Sequence, residues 1–185
     1  MNALKHKGRQ ISLSLLVILI IGFCVPQNFV SPVADNPERR WDNETFWYFP
    51  WGQSIVHKGV DIFSPKGTDV FAATLGIVLS TKRTGNGGNT IEILGPKWRI
   101  HYYAHMQEVL IKPYSFVKCG QLIGKVGNTG NAAETPPHLH YSISTYIPYL
   151  WRWDSDILGW KKMFYLNPLD YMGQYISTSL PQVSN

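Results

Sequence analysis

In Pro137-His138-Leu139-His140-Tyr141 two histidines stand one residue apart, and His57-Lys58-Gly59-Val60-Asp61 and Tyr102-Tyr103-Ala104-His105 add two more of the six in the chain. Imidazole titrates near neutrality and binds transition metals as the neutral ring, so such clusters suit proton transfer or metal ligation. A one-residue spacing cannot set two rings side by side on a helix. On a strand, alternation puts His138 and His140 on the same face. Zinc takes nitrogen and oxygen ligands, and a catalytic zinc site uses three protein ligands with a fourth position open. Two histidines and one aspartate would meet that count. His57 and Asp61 are four apart, and Gly59 between them allows the backbone to bend so that both side chains converge. No His-Glu-x-x-His occurs in the chain, so the glutamate base of that zinc class is missing.

These residues need a rigid frame, and the pattern around them is one of short strands. Val70-Phe71-Ala72-Ala73, Gly76-Ile77-Val78-Leu79, Asn89 to Leu94, Trp98 to His105 and Gln121 to Val126 are apolar, β-branched or aromatic runs. They are separated by Ser64-Pro65-Lys66-Gly67-Thr68, Gly85-Asn86-Gly87-Gly88, Gly95-Pro96-Lys97, Val117-Lys118-Cys119-Gly120 and Gly127-Asn128-Thr129-Gly130. Asn89 to His105 is expected as a hairpin. On its return strand, alternation sets Arg99, His101, Tyr103 and His105 on one face, and Trp98, Ile100, Tyr102 and Ala104 on the other. The expected fold is all-β, a single antiparallel sheet or sandwich domain.

At 185 residues the chain holds one domain with a real core. Lys5, Lys7 and Arg9 precede an apolar run from Ile11 to Val25, the pattern of an export signal. Its 15 residues reach the upper limit of a signal-peptide core, about 7 to 15, and fall short of the ~20 that span a bilayer. Pro32-Val33-Ala34 is a poor cleavage site. The expectation is therefore an inner-membrane anchor over residues 11–30 with its basic end cytoplasmic and the domain in the periplasm, cleaved secretion being the alternative. Residues 1–30 form that segment, 31–40 a polar tether, 41–175 the β domain and 176–185 a flexible tail. Beyond residue 34 the balance is 14 basic against 12 acidic residues, with no basic run interleaved with aromatics, which speaks against nucleic acid as a partner. Cys24 and Cys119 are the only cysteines, too few for a Cys-based zinc site or a disulfide framework.

The ordered blocks His57-x3-Asp61, Pro65-Lys66-Gly67-Thr68, Gly76-Ile77-Val78, Tyr103-Ala104-His105-Met106, Gly120-Gln121-Leu122-Ile123-Gly124, Gly127-Asn128-Thr129-Gly130 and Pro137-His138-Leu139-His140 resemble the lysostaphin/LytM-type zinc endopeptidases. The resemblance runs from about Phe49 to Ser144, with Asn167-Pro168-Leu169 fitting afterwards. It implies zinc as cofactor, His57, Asp61 and His140 as its ligands, His105 and His138 as catalytic histidines, and peptidoglycan peptides as substrate. Some members of that family have lost ligands and act by activating other wall hydrolases. That regulatory role is the rival reading, and the presence of all five polar residues weighs against it.

Departures from the pattern fall outside the implied ligand set. Asp69 stands where proline is favoured, Ala132 to Pro136 replaces a small Ser-Thr-Gly stretch, and Ser142 occupies a place often held by glutamate. His101 is extra, a cleft-rim or hydrogen-bonded side chain on the same strand face as His105. Cys119 is expected as a buried small residue. The aromatic cluster Trp41, Phe46, Trp47, Tyr48, Phe49 and Trp51 is expected as a lid or edge on the core. The Trp-rich stretch from Tyr146 to Tyr165 is expected to fold back over the domain, with an interfacial membrane contact as the alternative.

Overall fold

The computed structural model describes residues 2–35, 40–42, 44–83 and 85–172. A helix, α1 (Asn2–Cys24), precedes the strands β1 (Val60–Phe63), β2 (Asp69–Phe71), β3 (Gly76–Lys82), β4 (Asn89–Leu94) and β5 (Arg99–Met106). There follow β6 (Glu108–Val109), β7 (Phe116–Val117), β8 (Leu122–Lys125), β9 (His138–Thr145) and β10 (Tyr165–Leu166). Every described pairing is antiparallel. One sheet runs β1-β9-β5-β4-β3-β7, with β10 also on β9, and a smaller one runs β2-β8-β6. The all-β expectation holds for the domain.

Strand β9 shows why the large sheet forms where it does. Leu139, Tyr141 and Ile143 are fully buried on one face, while Ser142 and Ser144 line a cleft on the other, next to His140. On β5, His101 and Tyr103 share the core face, and Ile100, Tyr102 and Ala104 line the cleft. Ile62, Ile91, Ile93, Val70 and Ile123 complete the core, each such side chain contributing about 1.5–3 kcal/mol on burial.

The segment after α1 differs from the tether expected over residues 31–40. The Val30 N–H donates to Ala73 O at 2.9 Å, the Phe71 N–H to Pro32 O at 2.9 Å and the Ala34 N–H to Asp69 O at 3.0 Å. Phe29 and Val33 are thereby buried in the core. Phe29 and Val30, expected within the anchor over residues 11–30, and Val33, expected within the tether, thus belong to the domain, and the expected anchor ends too late. Residues 36–39, and the tail expected over 176–185, lie outside the described residues. Among the described residues no helix is long and apolar enough to cross a membrane.

The stretch from Tyr146 to Tyr165 is built of short 3-10 turns, Leu150–Arg152 and Gly159–Phe164, before β10 rejoins β9. It folds back on the aromatic segment before β1: the Trp47 indole donates to Ile157 O at 3.0 Å.

Candidate metal centre

Adjacent strands β1, β9 and β5 carry the clustered residues. Asp61 lies directly opposite His140 in the β1–β9 register, and Ala104 opposite His140 in the β5–β9 register. His57 sits just before β1. The turn into that strand requires glycine at position 59, because a Cβ there would come within 2.5 Å of Tyr141 O and 2.9 Å of Ser142 Cβ. Only a bare backbone lets His57 fold over β9.

The three side chains converge. His57 Nε2 is 3.1 Å from Asp61 Oδ1 and 3.1 Å from His140 Nδ1, and His140 Nδ1 is 2.8 Å from Asp61 Oδ1. His57 Nδ1–H donates to Thr45 O at 3.0 Å, which fixes the tautomer and turns the Nε2 lone pair inward. The inward lone pair thus faces a carboxylate, a repulsive contact that a cation between the three atoms would relieve. Tetrahedral zinc with bonds near 2.0–2.1 Å sets its ligands about 3.3 Å apart. The observed triangle is close to that size, and two nitrogens with one oxygen form a donor set suited to zinc. Trp51 stacks on His57, ring centroids 4.1 Å apart and planes at 24°, and holds the ring from its other side.

Electrostatics agree with this arrangement. Burial alone would raise the Asp61 pKa, but the His140 and His57 rings packed against it outweigh that and hold the carboxyl well below its usual range. Burial pushes His140 down, so the ring is neutral and its lone pair available.

Two further histidines stand beside this triangle. His138 Nδ1–H donates to Pro136 O at 2.8 Å, and His105 Nδ1–H donates to Thr129 O at 2.9 Å. In both rings Nε2 is left as the basic atom. The rings meet edge to face with centroids 5.0 Å apart, and His105 lies 6.1 Å from the His140 ring. Burial drives the His105 pKa down to about 4, so the ring is neutral near pH 7 with Nε2 unprotonated.

The alternation expected for β5 fails at His105. Tyr103 pairs with Ile91 and Met106 with Asn89, so Ala104 and His105 together oppose Thr90 in a β-bulge. His105 has φ +62, in the left-handed region. The extra residue turns its side chain out of the face it would share with His101 and into the cleft. The bulge is clamped by both glycine loops: the His105 N–H donates to Gly87 O at 2.8 Å, and the Thr129 N–H to His105 O at 3.3 Å. A Cβ on Gly127 would meet Gln107 N at 2.3 Å and His105 O at 2.8 Å.

His101 consequently points into the core rather than the cleft rim. It is fully buried, its Nδ1 is 2.6 Å from the Tyr141 hydroxyl, and burial lowers its pKa to about 3. Cys119 is half-buried. Asp69 pairs with Lys125 on β8 and does not line the cleft, whereas Ser142 does.

The cleft has a volume of about 680 Å³, and Trp51, His57, Lys58, Tyr102, His105 and His140 are among its walls. Sequence reasoning missed the supporting carbonyls of Thr45, Thr129 and Pro136, which no side-chain pattern marks. It also missed the stacking role of Trp51, for which the aromatic run gave a general signal only.

The likeness to known proteins covers the same part of the chain. ShyC, a peptidoglycan DD-endopeptidase of Vibrio cholerae, is 40% identical over 90 residues, 49% of this chain and 20% of that protein. An L-Ala--D-Glu endopeptidase of Bacillus subtilis is 35% identical over 100 residues, 50% of this chain and 31% of that one. The match spans about a fifth of the first curated relatives. Among solved structures, the catalytic domain of lysostaphin from Staphylococcus simulans aligns with a TM-score of 0.53 at 28% identity, over 66% of this chain and 84% of that one. A putative lytM glycyl-glycine endopeptidase from Ruminococcus gnavus aligns with a TM-score of 0.62 at 23% identity, over 80% of this chain and 61% of that one, a likeness of fold. The profile of Peptidase family M23 matches residues 55–149, just over half of the chain, and the chain belongs to that family.

Proposed function

We propose that this protein is a zinc-dependent endopeptidase that hydrolyses peptide bonds in bacterial peptidoglycan. The observation that carries the reading is the convergence of His57, Asp61 and His140 beside two histidines whose Nδ1 atoms are both tied to main-chain carbonyls. Relatives named as peptidoglycan DD-endopeptidases support the substrate class.

In this reading His57 Nε2, Asp61 Oδ1 and His140 Nδ1 hold the ion. Bound zinc supplies Lewis acidity, lowering the pKa of water to about 7 and polarising the scissile carbonyl. The chain's own groups do the rest. Neutral Nε2 of His105 takes the proton from the attacking water, and His138, when it carries a proton at Nε2, donates to the developing oxyanion and then to the leaving amine. Burial keeps the rings from being swamped by bulk water. Their Nδ1 anchors prevent tautomer exchange, so each proton moves at a defined atom. A regulatory module that only activates other hydrolases would have no use for five such residues in register.

The domain belongs, in the same proposal, on the periplasmic side of the inner membrane. Residues Ile11 to Val25 insert as the anchor, with Lys5, Lys7 and Arg9 at the cytoplasmic face. Incubating the purified protein with isolated wall material, with and without chelator, and identifying the fragments by mass spectrometry tests the reading. New amino termini inside wall peptides that vanish with chelator and return with zinc are expected. Intact peptides under zinc-replete conditions would refute it.

A further inference from the structure

Every apolar side chain from Ile11 to Ile21 is at least 38% exposed, so the domain does not cover this part of α1. The domain is nevertheless fixed to the end of the helix. The Trp98 indole N–H donates to Leu19 O at 2.9 Å, and the ring lies so close to Gly22 that a Cβ there would come within 2.3 Å of it. At 1.5 Å per residue, Leu19 and Gly22 lie about 9 and 4.5 Å before the end of the apolar run at Val25. Just beyond, Gln27 accepts from Arg99, and Val30 already pairs with Ala73. No slack separates helix from domain. If the apolar run is in a bilayer, Trp98 stands at its interface, where tryptophan is favoured.

The same anchor reaches the Trp-rich loop. Arg99 Nε donates to the Tyr149 hydroxyl at 3.3 Å, its guanidinium lies over the Tyr149 and Tyr171 rings, and Tyr149 packs on Trp151 at 5.1 Å. From there the loop presents Leu150, Trp151 and Trp153, 68%, 79% and 66% exposed, followed by Ile157 and Trp160. Lys161 lies over Trp160, while Asp154 and Asp156 are both engaged by Lys162. The surface is therefore aromatic and aliphatic, with its two acids held by Lys162 and a second cation, Lys161, beside it. Aliphatic side chains gain little from a sugar face but do gain from hydrocarbon, and Arg99 ties this loop through Tyr149 to Gln27, just beyond the apolar helix.

We propose that the loop from Leu150 to Lys161 is a membrane-contact surface, which seats Trp151 and Trp153 at the headgroup level of the bilayer that holds α1. The inference rests on the proposed insertion of α1. A 15-residue apolar run is shorter than a bilayer core, and a short span draws its flanking groups into the interface. Two contacts, α1 and the loop, fix the orientation of the domain as one contact could not. Tyr146, at the head of the loop, also lines the cleft. The cleft thus opens beside the bilayer, and the enzyme works on wall peptides close to the membrane.

The test uses the full chain with vesicles of zwitterionic and anionic phospholipid, brominated on the acyl carbons near the headgroups. Wild type, Trp151→Ser/Trp153→Ser and Leu150→Glu should all float with the vesicles through α1 and retain wall-cleaving activity. Bromine should quench the wild-type tryptophan emission, and the quenched fraction should fall in the double variant and in Leu150→Glu, which keeps every tryptophan. Unchanged quenching in both variants with flotation intact would overturn the loop contact while leaving the anchor standing. Wild type that fails to float would remove the anchor and the loop contact together. Unchanged quenching with weaker retention of the double variant on lipid-free wall sacculi would assign the loop to glycan instead and overturn the proposal.

Discussion

Thr129 holds His105 from both ends: its carbonyl accepts the His105 Nδ1–H at 2.9 Å, and its own N–H donates to the His105 carbonyl at 3.3 Å. The Thr129 hydroxyl in turn donates to Met106 O at 3.0 Å and accepts from the Asn89 N–H at 2.9 Å. One residue of a glycine loop thereby locks the bulge that aims a histidine into the cleft. Thr129→Val keeps the shape and removes the hydroxyl. It is expected to lower kcat about 10- to 100-fold, the scale of a misplaced catalytic group, with KM and bound zinc little changed. A raised KM with unchanged kcat would mean that the loop binds substrate instead.

Ligand and proton carrier are separable by metal content. His140→Ala is expected to lose zinc. His105→Ala and His138→Ala are expected to keep it while losing about 10²- to 10⁴-fold in activity, as for removal of a general acid or base. Metal analysis of the purified variants beside wall-digestion rates checks this. Full zinc occupancy in His140→Ala would remove that residue from the ligand set.

Much of this was legible because β9 is regular. An undistorted pleat makes His138 and His140 neighbours on one face, and the glycine and proline spacing of the strands gave the antiparallel fold. His105 was placed with His101 by the same rule, and there the rule fails. The bulge at Ala104 and His105 is imposed by Gly87 and Thr129, which lie far away in sequence, so no local pattern announces it. Phe29 falls within the expected anchor over residues 11–30, and Val33 within the expected tether, for a related reason. Two apolar residues in a polar, proline-bearing stretch have no periodicity, and only the pairing with β2 shows that they belong to the core.

Close approach at Gly59 gives a stability and metal test in one substitution. The added Cβ of Gly59→Ala would sit 2.5 Å from Tyr141 O and 3.0 Å from His140 Cε1, so β1 must move from β9 or His140 must turn. Overpacking of this kind costs about 1–3 kcal/mol. Thermal melting with and without added zinc should show a lower Tm for the apo form and a smaller rise on zinc addition than in wild type. An equal rise would mean that His57 tolerates the displacement.

His101 makes a prediction about pH. Its ring is buried against Tyr141, and burial lowers its pKa to about 3, against about 6.5 for a free histidine. Between these values the unfolded chain binds a proton that the folded chain refuses, so unfolding becomes easier as pH falls from 6.5 towards 3. The loss from this group alone approaches about 1.4 kcal/mol per pH unit. His105 and His140 shift in the same direction, and the Asp61 contribution is lost only at still lower pH, so the whole-protein slope is steeper than one residue explains. The difference between wild type and His101→Gln isolates the one term. The variant, which keeps a polar partner for the Tyr141 hydroxyl, should be less stable than wild type at pH 7.5 and should close the gap as pH falls from 6.5 to 5. Activity per folded molecule and zinc content should not change, because His101 faces the core and not the cleft. Parallel urea-unfolding curves for the two proteins across that range would show that the buried ring takes up its proton in the folded state after all.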